Sequence, residues 1–299
     1  MSTKKKKYIR KESWVCWTLL ILLAVIALLP LCMVLSASLT EETYIQKNGY
    51  TLFPVNPSLA TFKFLIANKG RMLMRAIQTT LSTVVCGTIY AVSVVTCFAY
   101  AVSQKQSDFL FARALSFFAW FTTIFSGGVL PWYILCTQHY GLRNNLYALF
   151  IPYGMSVWNM FILRGNFRQI PEPLFESAKL DGASDAQIFV KISIPLARAG
   201  IITISLFNVL GFWNDFFLPK WLITESSMQT LQLLLYNMLS NAQALLRNSE
   251  LSDLASKVVI PTQTAKMAVA VMAILPIIAM YPFALKHFVK GINVGGIKG

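Results

Sequence analysis

Charged residues are scarce in this chain. Asp, Glu, Lys and Arg make up 13% of its 299 residues, hydrophobic residues make up 56%, and the mean hydropathy is +0.58. A soluble globular domain rarely reaches this balance, because its surface needs polar side chains. The composition therefore excludes an ordinary soluble domain and predicts a membrane protein.

The chain also lacks the residue clusters that carry chemistry. Its five cysteines show no CxxC spacing, and neither His139 nor His287 has a second ligand at metal spacing. No pair of nucleophile and base is present, the carboxylates are scattered, and a GxxxxGK[ST] phosphate loop is missing. We therefore predict that this chain is not an enzyme and has no catalytic residue, no metal site and no ATP chemistry of its own.

Long apolar runs are what the sequence does have. A hydrocarbon core of ~30 Å needs roughly 20 helical residues. Six runs of about that length occur, at about 14–36, 76–102, 113–136, 146–164, 198–220 and 265–288. They predict an all-α polytopic membrane protein with six transmembrane helices.

Positive charge orients the predicted spans. Six basic residues precede the first run, and positive charge is hard to translocate. Because the span count is even, both termini are predicted to lie in the cytoplasm, with 16 of the 26 Lys and Arg at or near that face. The first run could be an uncleaved span or a secretory signal. It is longer than the apolar core of a secretory signal, which favours the uncleaved span. The net charge of +14 does not indicate nucleic-acid binding, because the basic residues flank spans.

The runs divide the chain into three predicted regions. Residues 1–75 comprise a cytoplasmic N-terminus, the first transmembrane helix and an outer loop. Residues 76–288 form a five-helix core with a long inner loop at 165–197, and residues 289–299 form a cytoplasmic C-terminal tail. An outer loop at about 221–264 contains a Leu-rich stretch that predicts a short helix outside the bilayer. No internal repeat is visible, which disfavours a transporter folded from two halves of this chain.

The inner loop contains the polar stretch ESAKLDGASDAQIFVKISIP, residues 176–195. Pro171 and Pro173 favour a helix start, because the missing N–H of proline is not needed in a first turn. Gly182 is predicted to end this helix, since a left-handed backbone costs glycine least. The loop thus begins with a short amphipathic helix and a turn.

A second short helix is predicted to follow. Ser184 and Gln187 have the spacing of a capping box, and Pro195 closes the segment. One face of this helix is predicted to contain Ala186, Phe189, Val190 and Ser193. A ridge formed by Leu174, Phe175 and Phe189 is a candidate docking surface for a partner protein. Packing against the membrane or against the chain's own helix ends is the alternative.

The same stretch resembles the EAA loop of ATP-binding-cassette importer permeases, whose pattern is roughly E-A-A-x-x-D-G-A followed by apolar residues and proline. Ser177 replaces the usual alanine. Other stretches agree with the carbohydrate branch, which includes maltose-type and alginate- or pectin-fragment-type permeases: GLRNN to IPY at 141–153, WNDFFLP in the fifth run, and the tail VKGINVGGIKG. The matching features, in order, are Glu176, Ala178, Asp181, Gly182, Ala183 and Pro195.

The resemblance covers most of the chain from the second span onward and implies the ABC type I importer permease fold. In that family the EAA loop is a coupling helix that sits in a cleft of a cytoplasmic ATPase subunit. The resemblance also implies partners: a second permease subunit, two ATP-binding subunits and an extracytoplasmic solute-binding protein. ATP and Mg would bind the ATPases, and this chain would bind no cofactor. The residues implied in ATPase coupling are Glu176, Ser177, Ala178, Asp181, Gly182, Ala183, Phe189 and Pro195.

In the resembling family, the loop between the last two spans contacts the binding protein, and residues 225–262 occupy the matching place. The C-terminal tail reaches the interface between the two ATPases there. For this chain, a frayed terminus is the alternative interpretation of the tail.

Polar groups within the fourth and fifth runs are candidates for the translocation pathway, because polar groups in hydrocarbon usually face a cavity or a partner. An interfacial or helix–helix structural role is the alternative for each of them, and a tryptophan also serves as a membrane-belt residue. The candidates are Trp158, Asn159, Asn208, Trp213, Asn214 and Asp215.

The sequence therefore predicts a bacterial plasma-membrane permease subunit that imports an oligosaccharide. Basic residues before the second run favour an anionic saccharide, although the same residues also fit as membrane-flanking charges: Lys47, Lys63, Lys69, Arg71 and Arg75. A self-contained secondary transporter or channel is the main rival, and it calls for ionisable residues in mid-membrane and for internal symmetry. A membrane-bound enzyme is a second rival, and it needs a reactive constellation.

Overall fold

The computed structural model describes residues 3–105, 111–247 and 263–295. Within these ranges every regular element is helical and no strand occurs, which confirms the all-α class. The α-helices are α1 (Thr3–Leu39), α2 (Glu42–Asn48), α3 (Ala60–Ser103), α4 (Ala112–Ile124), α5 (Val129–Ile134), α6 (Val157–Arg168), α7 (Pro173–Leu180), α8 (Asp185–Ile188), α9 (Ile194–Leu196), α10 (Arg198–Asn214), α11 (Phe217–Leu222), α12 (Leu231–Arg247) and α13 (Gln263–Gly295).

Shorter helical turns join some of these helices. In the described ranges, π turns cover Leu135–His139 and Phe189–Ser193, and 3-10 turns cover Leu146–Leu149, Ile151–Tyr153 and Ser226–Met228. The helix predicted in the last outer loop is α12. The rest of that loop, residues 248–262, and the end of the tail, residues 296–299, lie outside the described residues.

Two helices of the described part are long and apolar enough to cross a bilayer alone: Trp14–Leu39 of α1, and α3. Three further pairs reach this length only together: Ala112–Ile124 with Val129–His139, Leu146–Tyr153 with Val157–Arg168, and Asp185–Leu196 with Arg198–Asn214. They are bent by 115°, 56° and 76° respectively. A shorter apolar helix covers Gln263–Ala279. The count of six spans therefore stays a prediction.

Helix α3 begins at Ala60, ahead of the second predicted span. Residues 60–75, predicted as part of the first outer loop, therefore belong to the same helix as that span, and the span boundary at residue 76 stays a prediction. These residues carry charges that lower the local hydropathy, but Gly70 is the only glycine among them and proline is absent. Nothing in this stretch stops a helix.

The third and fourth predicted runs, unlike the second, are not continuous helices. Four residues, 125–128, separate α4 from α5. Gly128 has a φ of +87°, which only glycine adopts readily. In the fourth run, 3-10 turns precede α6, with Pro152 at the start of the second turn. Apolar composition alone did not reveal these breaks.

The described residues group into two compact units. The first unit consists of residues 1–70 and 237–275, and the second of residues 71–236 and 276–299. In the first unit, Glu42 of α2 binds the first turn of α13. The second unit contains the inner loop and the fourth and fifth runs.

In the second unit, α6 packs against α10. Met160 and Leu163 of α6 and Ile204 of α10 are fully buried in one cluster. A Cβ atom added to Gly200 of α10 would lie 2.7 Å from Cγ of Asn166 on α6, so glycine permits the close approach. In a bilayer, such tight packing replaces the hydrophobic effect as the main attraction between helices.

Candidate functional site

The first helix of the inner loop forms where the prolines predict it. Helix α7 begins at Pro173, with Glu172 as its N-cap residue. Ala178 is buried, whereas Glu176 and Lys179 are exposed. Leu180 is 89% exposed, which is unusual for a large apolar side chain. The outward side of α7 thus combines charge with an uncovered apolar group.

Gly182 closes α7 in the predicted left-handed conformation, with φ of +80°. Its N–H donates to the carbonyl of Lys179 at 3.0 Å, and the N–H of Ala183 donates to the carbonyl of Ala178 at 2.9 Å. This is the Schellman pattern, which satisfies the carbonyls at a helix C-terminus. Both hydrogen bonds hold the turn, and its outer side is open: apart from the two adjacent residues, no atom of the described residues lies within 4 Å of a Cβ placed on Gly182.

The second helix opens with the predicted capping box. The Ser184 N–H donates to Oε1 of Gln187 at 2.9 Å, and the Gln187 N–H donates to Oγ of Ser184 at 3.3 Å. Two N–H groups that a helix start leaves unpaired are thereby satisfied. Helices α7 and α8, joined by this short turn, form one ordered element. We call residues 173–196 the EAA-like segment.

The predicted apolar face of the second helix was wrong. Ile188 and Ser193 are buried, whereas Ala186 and Val190 are exposed. A π turn over Phe189–Ser193 interrupts the α-helical period at Val190 and Ser193, because it contains one extra residue. The Ser193 hydroxyl donates to the carbonyl of Ile188, five residues earlier, at 3.3 Å. An α-helical period cannot anticipate this change.

Phe189 also lies elsewhere than predicted. It packs on the core of the second unit, with its ring centroid 4.6 Å from that of Tyr100. It therefore belongs to the inner side of the EAA-like segment and not to an exposed ridge with Leu174 and Phe175. Leu174 is exposed and Phe175 is half-buried.

A cavity of about 880 Å³ lies beside the EAA-like segment. It is formed by the end of α3, the start of α4, the end of α6, and helices α7 and α8. Arg113, Arg164 and Arg168 line it together with the apolar side chains of Phe167 and Phe175. We call it the basic cavity. None of the six pathway candidates lines it.

The pathway candidates do not share one environment. Trp158 is 74% exposed, whereas Asn159, Asn208 and Trp213 are buried. The Asn208 amide donates to the carbonyl of Ile204 at 2.8 Å, and the amide of the exposed Asn214 donates to the carbonyl of Leu210 at 2.9 Å. Both amides therefore bind their own helix. Since α6 packs against α10, the structure brings the helices of these candidates together.

Asp215 lies at the break between α10 and α11. Its Oδ1 accepts a hydrogen bond at 2.9 Å from the N–H of Phe217, the first residue of α11. Tyr153, which the sequence reasoning did not single out, lies within electrostatic range of Asp215. Tyr153 belongs to the IPY stretch and Asp215 to WNDFFLP, so two of the stretches that carry the resemblance lie close enough for their charges to interact.

Asn144 is a second residue that the sequence reasoning missed. Its φ is +52°, and its Oδ1 accepts hydrogen bonds from the N–H groups of Thr224 at 2.7 Å and Glu225 at 3.3 Å. It thereby ties the GLRNN stretch to the loop after α11. The preceding Gly141 and the run of two asparagines are the signal for such a turn.

The fold and the inner loop agree with a known family. The family described as "Binding-protein-dependent transport system inner membrane component" matches residues 56–294. The chain belongs to this family. As a member, it is a multi-pass membrane permease and a component of a transport system, which confirms the expected class.

Individual relatives of this permease cover nearly its whole length. It is 31% identical over 280 residues to the polygalacturonan/rhamnogalacturonan transport system permease protein YtcP of Bacillus subtilis (strain 168), over 94% of this chain and 96% of that protein. It is 31% identical over 277 residues to Protein LplC of the same organism, over 92% and 90% of the two chains. A chain in the crystal structure of a bacterial ABC transporter involved in the import of the acidic polysaccharide alginate matches with a TM-score of 0.79 and 26% identity, over 93% of this chain and 97% of that chain. These matches confirm the ABC importer permease fold.

Proposed function

We propose that this permease forms half of the pore of an ATP-driven importer for an acidic oligosaccharide, and that the EAA-like segment couples it to an ATPase. The observation that carries the proposal is the exposed α7–Gly182–α8 element, in which the end of α7 and the start of α8 are both capped. Its Schellman turn and capping box satisfy its backbone ends, so it moves as one body. Its Ala178 and Ile188 are buried, and the next residue, Phe189, packs on Tyr100 of α3.

Coupling needs an outward surface and a rigid connection inward. Glu176 and Leu180 are exposed and offer a charge and an apolar contact to a partner. On the inner side, Phe189 packs on Tyr100 of α3, and α9 leads into α10. A displacement of α7 by a closing ATPase is thereby passed to α3 and α10.

The full assembly follows from this role. A second permease subunit completes the pore, two ATP-binding subunits hydrolyse ATP with Mg, and an extracytoplasmic solute-binding protein delivers the sugar. This chain binds no cofactor, and its termini and the EAA-like segment face the cytoplasm. Asp215 and the aromatic and amide groups of α6 and α10 line or border the pathway.

An acidic substrate is supported by two observations. One relative is described as a polygalacturonan/rhamnogalacturonan permease, and the solved transporter imports alginate, an acidic polysaccharide. Basic residues also cluster in α2 and at the start of α3, ahead of the apolar part of that helix: Lys47, Lys63, Lys69, Arg71 and Arg75. Positive charge at a pathway entrance raises the local concentration of an anionic ligand.

The test is uptake by the reconstituted transporter. Proteoliposomes with the permease pair, ATPases and binding protein are supplied with a uronate oligosaccharide or a neutral oligosaccharide of equal length. We expect ATP-dependent uptake of the uronate only, and no uptake when the ATPases are omitted. Uptake without the ATPases would instead identify a self-contained transporter or channel.

A further inference from the structure

The lining of the basic cavity carries more positive than negative charge. Five basic and three acidic side chains line it. One of the acids, Glu172, already forms a salt bridge with Lys105. Across the described ranges, no salt bridge joins Arg113, Arg164 or Arg168 to a carboxylate. Among the described residues, the cavity therefore has an excess of cationic groups over the carboxylates that line it.

Two of these arginines repel each other. Arg164 and Arg168 lie one turn apart on α6, so their guanidinium groups are on the same face of the helix and their charges interact unfavourably. Nε of Arg164 donates to the carbonyl of Val102 at 3.1 Å, which holds its guanidinium at the cavity. The remaining N–H donors of a guanidinium suit a phosphate oxygen, since arginine binds phosphate through two parallel hydrogen bonds. An anion between the arginines would relieve the repulsion.

The cavity is also apolar on one side. Phe167, Ile170, Phe175 and Ile188 contribute to its lining. A free inorganic anion gains nothing from such a surface, whereas the glycerol and first acyl carbons of a phospholipid do. The lining thus fits a molecule with an anionic head and an apolar body. The cavity also lies at the ends of α3, α4 and α6, which belong to predicted spans. The ends of a membrane span border the headgroup region of a bilayer.

We propose that the basic cavity binds the phosphate group of an anionic phospholipid, which sits between Arg113, Arg164 and Arg168 and against Phe167 and Phe175. Basic pockets between transmembrane helices on the cytoplasmic side are suited to acidic headgroups. The proposal rests on the cytoplasmic orientation given under the proposed function. Lipid bound there contacts α7 and α8 as well as α6, so it stabilises the attachment of the EAA-like segment to the membrane helices.

The experiment compares lipid binding by two double variants of the full transporter. In the variant Arg113→Gln with Arg168→Gln, both exposed arginines of the cavity lose their charge while Arg164 keeps its bond to Val102. In the control, Lys191→Gln with Arg198→Gln, two exposed basic residues outside the cavity lining are changed. Retained phosphatidylglycerol and phosphatidylcholine are counted by native mass spectrometry after extraction from mixed vesicles, without ATP turnover.

We expect the unchanged protein to retain phosphatidylglycerol over phosphatidylcholine. The cavity variant should bind phosphatidylglycerol roughly tenfold to thirtyfold more weakly, and the control should change little. If both variants lost phosphatidylglycerol equally, the lipid would be held by nonspecific attraction to basic residues. That result would overturn the proposed site. A third outcome is that the protein retains both lipids equally and releases them in millimolar inorganic phosphate. That result would overturn the choice of a lipid and assign the site to a free anion. A failed uptake assay with intact lipid selectivity would reject the transport proposal alone.

Discussion

The carboxylate of Glu42 binds Thr264 twice. Its Oε2 accepts a hydrogen bond from the Thr264 N–H at 2.8 Å and another from the Thr264 hydroxyl at 2.6 Å. Its Oε1 accepts a third from the N–H of Gln263 at 3.0 Å. A short helix after the first span thus caps the N-terminus of α13, where a negative charge is favourable.

We expect Glu42→Ala to lower the free energy of unfolding by about 2 kcal/mol, because it leaves buried N–H groups of α13 without their charged acceptor. Glu42→Gln keeps one acceptor oxygen and should cost less. The measurement is thermal unfolding of the purified permease in detergent. Glu41→Ala is the matched control, since Glu41 is exposed and its carboxylate accepts from the hydroxyl of the neighbouring Thr43. A control that loses as much stability would contradict the capping role.

The same contact should depend on pH. Burial raises the pKa of Glu42, but the hydrogen bonds from Thr264 and Gln263 outweigh it, so the net pKa lies below its ordinary value of 4.5. A depressed carboxyl pKa gives stabilisation that is fully present above pH 4.5 and is lost as the pH falls through the folded-state pKa. We expect the difference in melting temperature between the unchanged protein and Glu42→Gln to shrink on acidification below pH 4.5. A difference that stays constant down to pH 3 would argue against it.

Gly182→Asp should abolish uptake while the protein still inserts into the membrane. The turn at Gly182 has open space outside, so the new side chain fits, but it places a charge and a strained backbone on the proposed ATPase contact. Uptake and membrane content are measured in the same proteoliposomes. Gly49→Asp is the matched control, because Gly49 has φ of +77° and equally open surroundings in the first outer loop. Normal uptake by the Gly182 variant would reject the coupling role.

Two substitutions separate two roles of Asp215: a charge on the translocation pathway and an acceptor at the start of α11. Asp215→Ala removes both the charge and the acceptor for the Phe217 N–H, and it should cost about 1 kcal/mol of stability and alter transport. Asp215→Asn keeps an acceptor, so we expect stability to be retained but transport to remain altered. Initial rates of uptake over a range of substrate concentrations provide the measurement. Full transport by the Asn variant would assign Asp215 to the start of α11 alone.

Local signals in the sequence predicted the parts of the structure that depend on local chemistry. Proline at a helix start, Gly182 at a helix end and the Ser184–Gln187 capping box all formed as expected, because each acts within a few residues. Apolar composition likewise predicted helices in the membrane.

Features that depend on distant parts of the chain could not be predicted in this way. The Glu42–Thr264 contact joins residues 222 positions apart, and Phe189 turned inward because Tyr100 of α3 offers a surface for it. The first part of α3, residues 60–75, was not predicted as helix because its charged residues lower the local hydropathy. They do not break the helix. The interactions of Asn144 with Thr224 and of Tyr153 with Asp215 likewise depend on the three-dimensional structure.

The π turn at Phe189–Ser193 allows the EAA-like segment to vary in length by one residue. A π turn holds one residue more than the α-helical turn it replaces. Deleting a single residue there would leave one α-helical turn in place of one π turn, so α7 would keep nearly the same rotational position about the helix axis. Related permeases can therefore lack this one residue between Gly182 and α10 while α7 keeps its orientation.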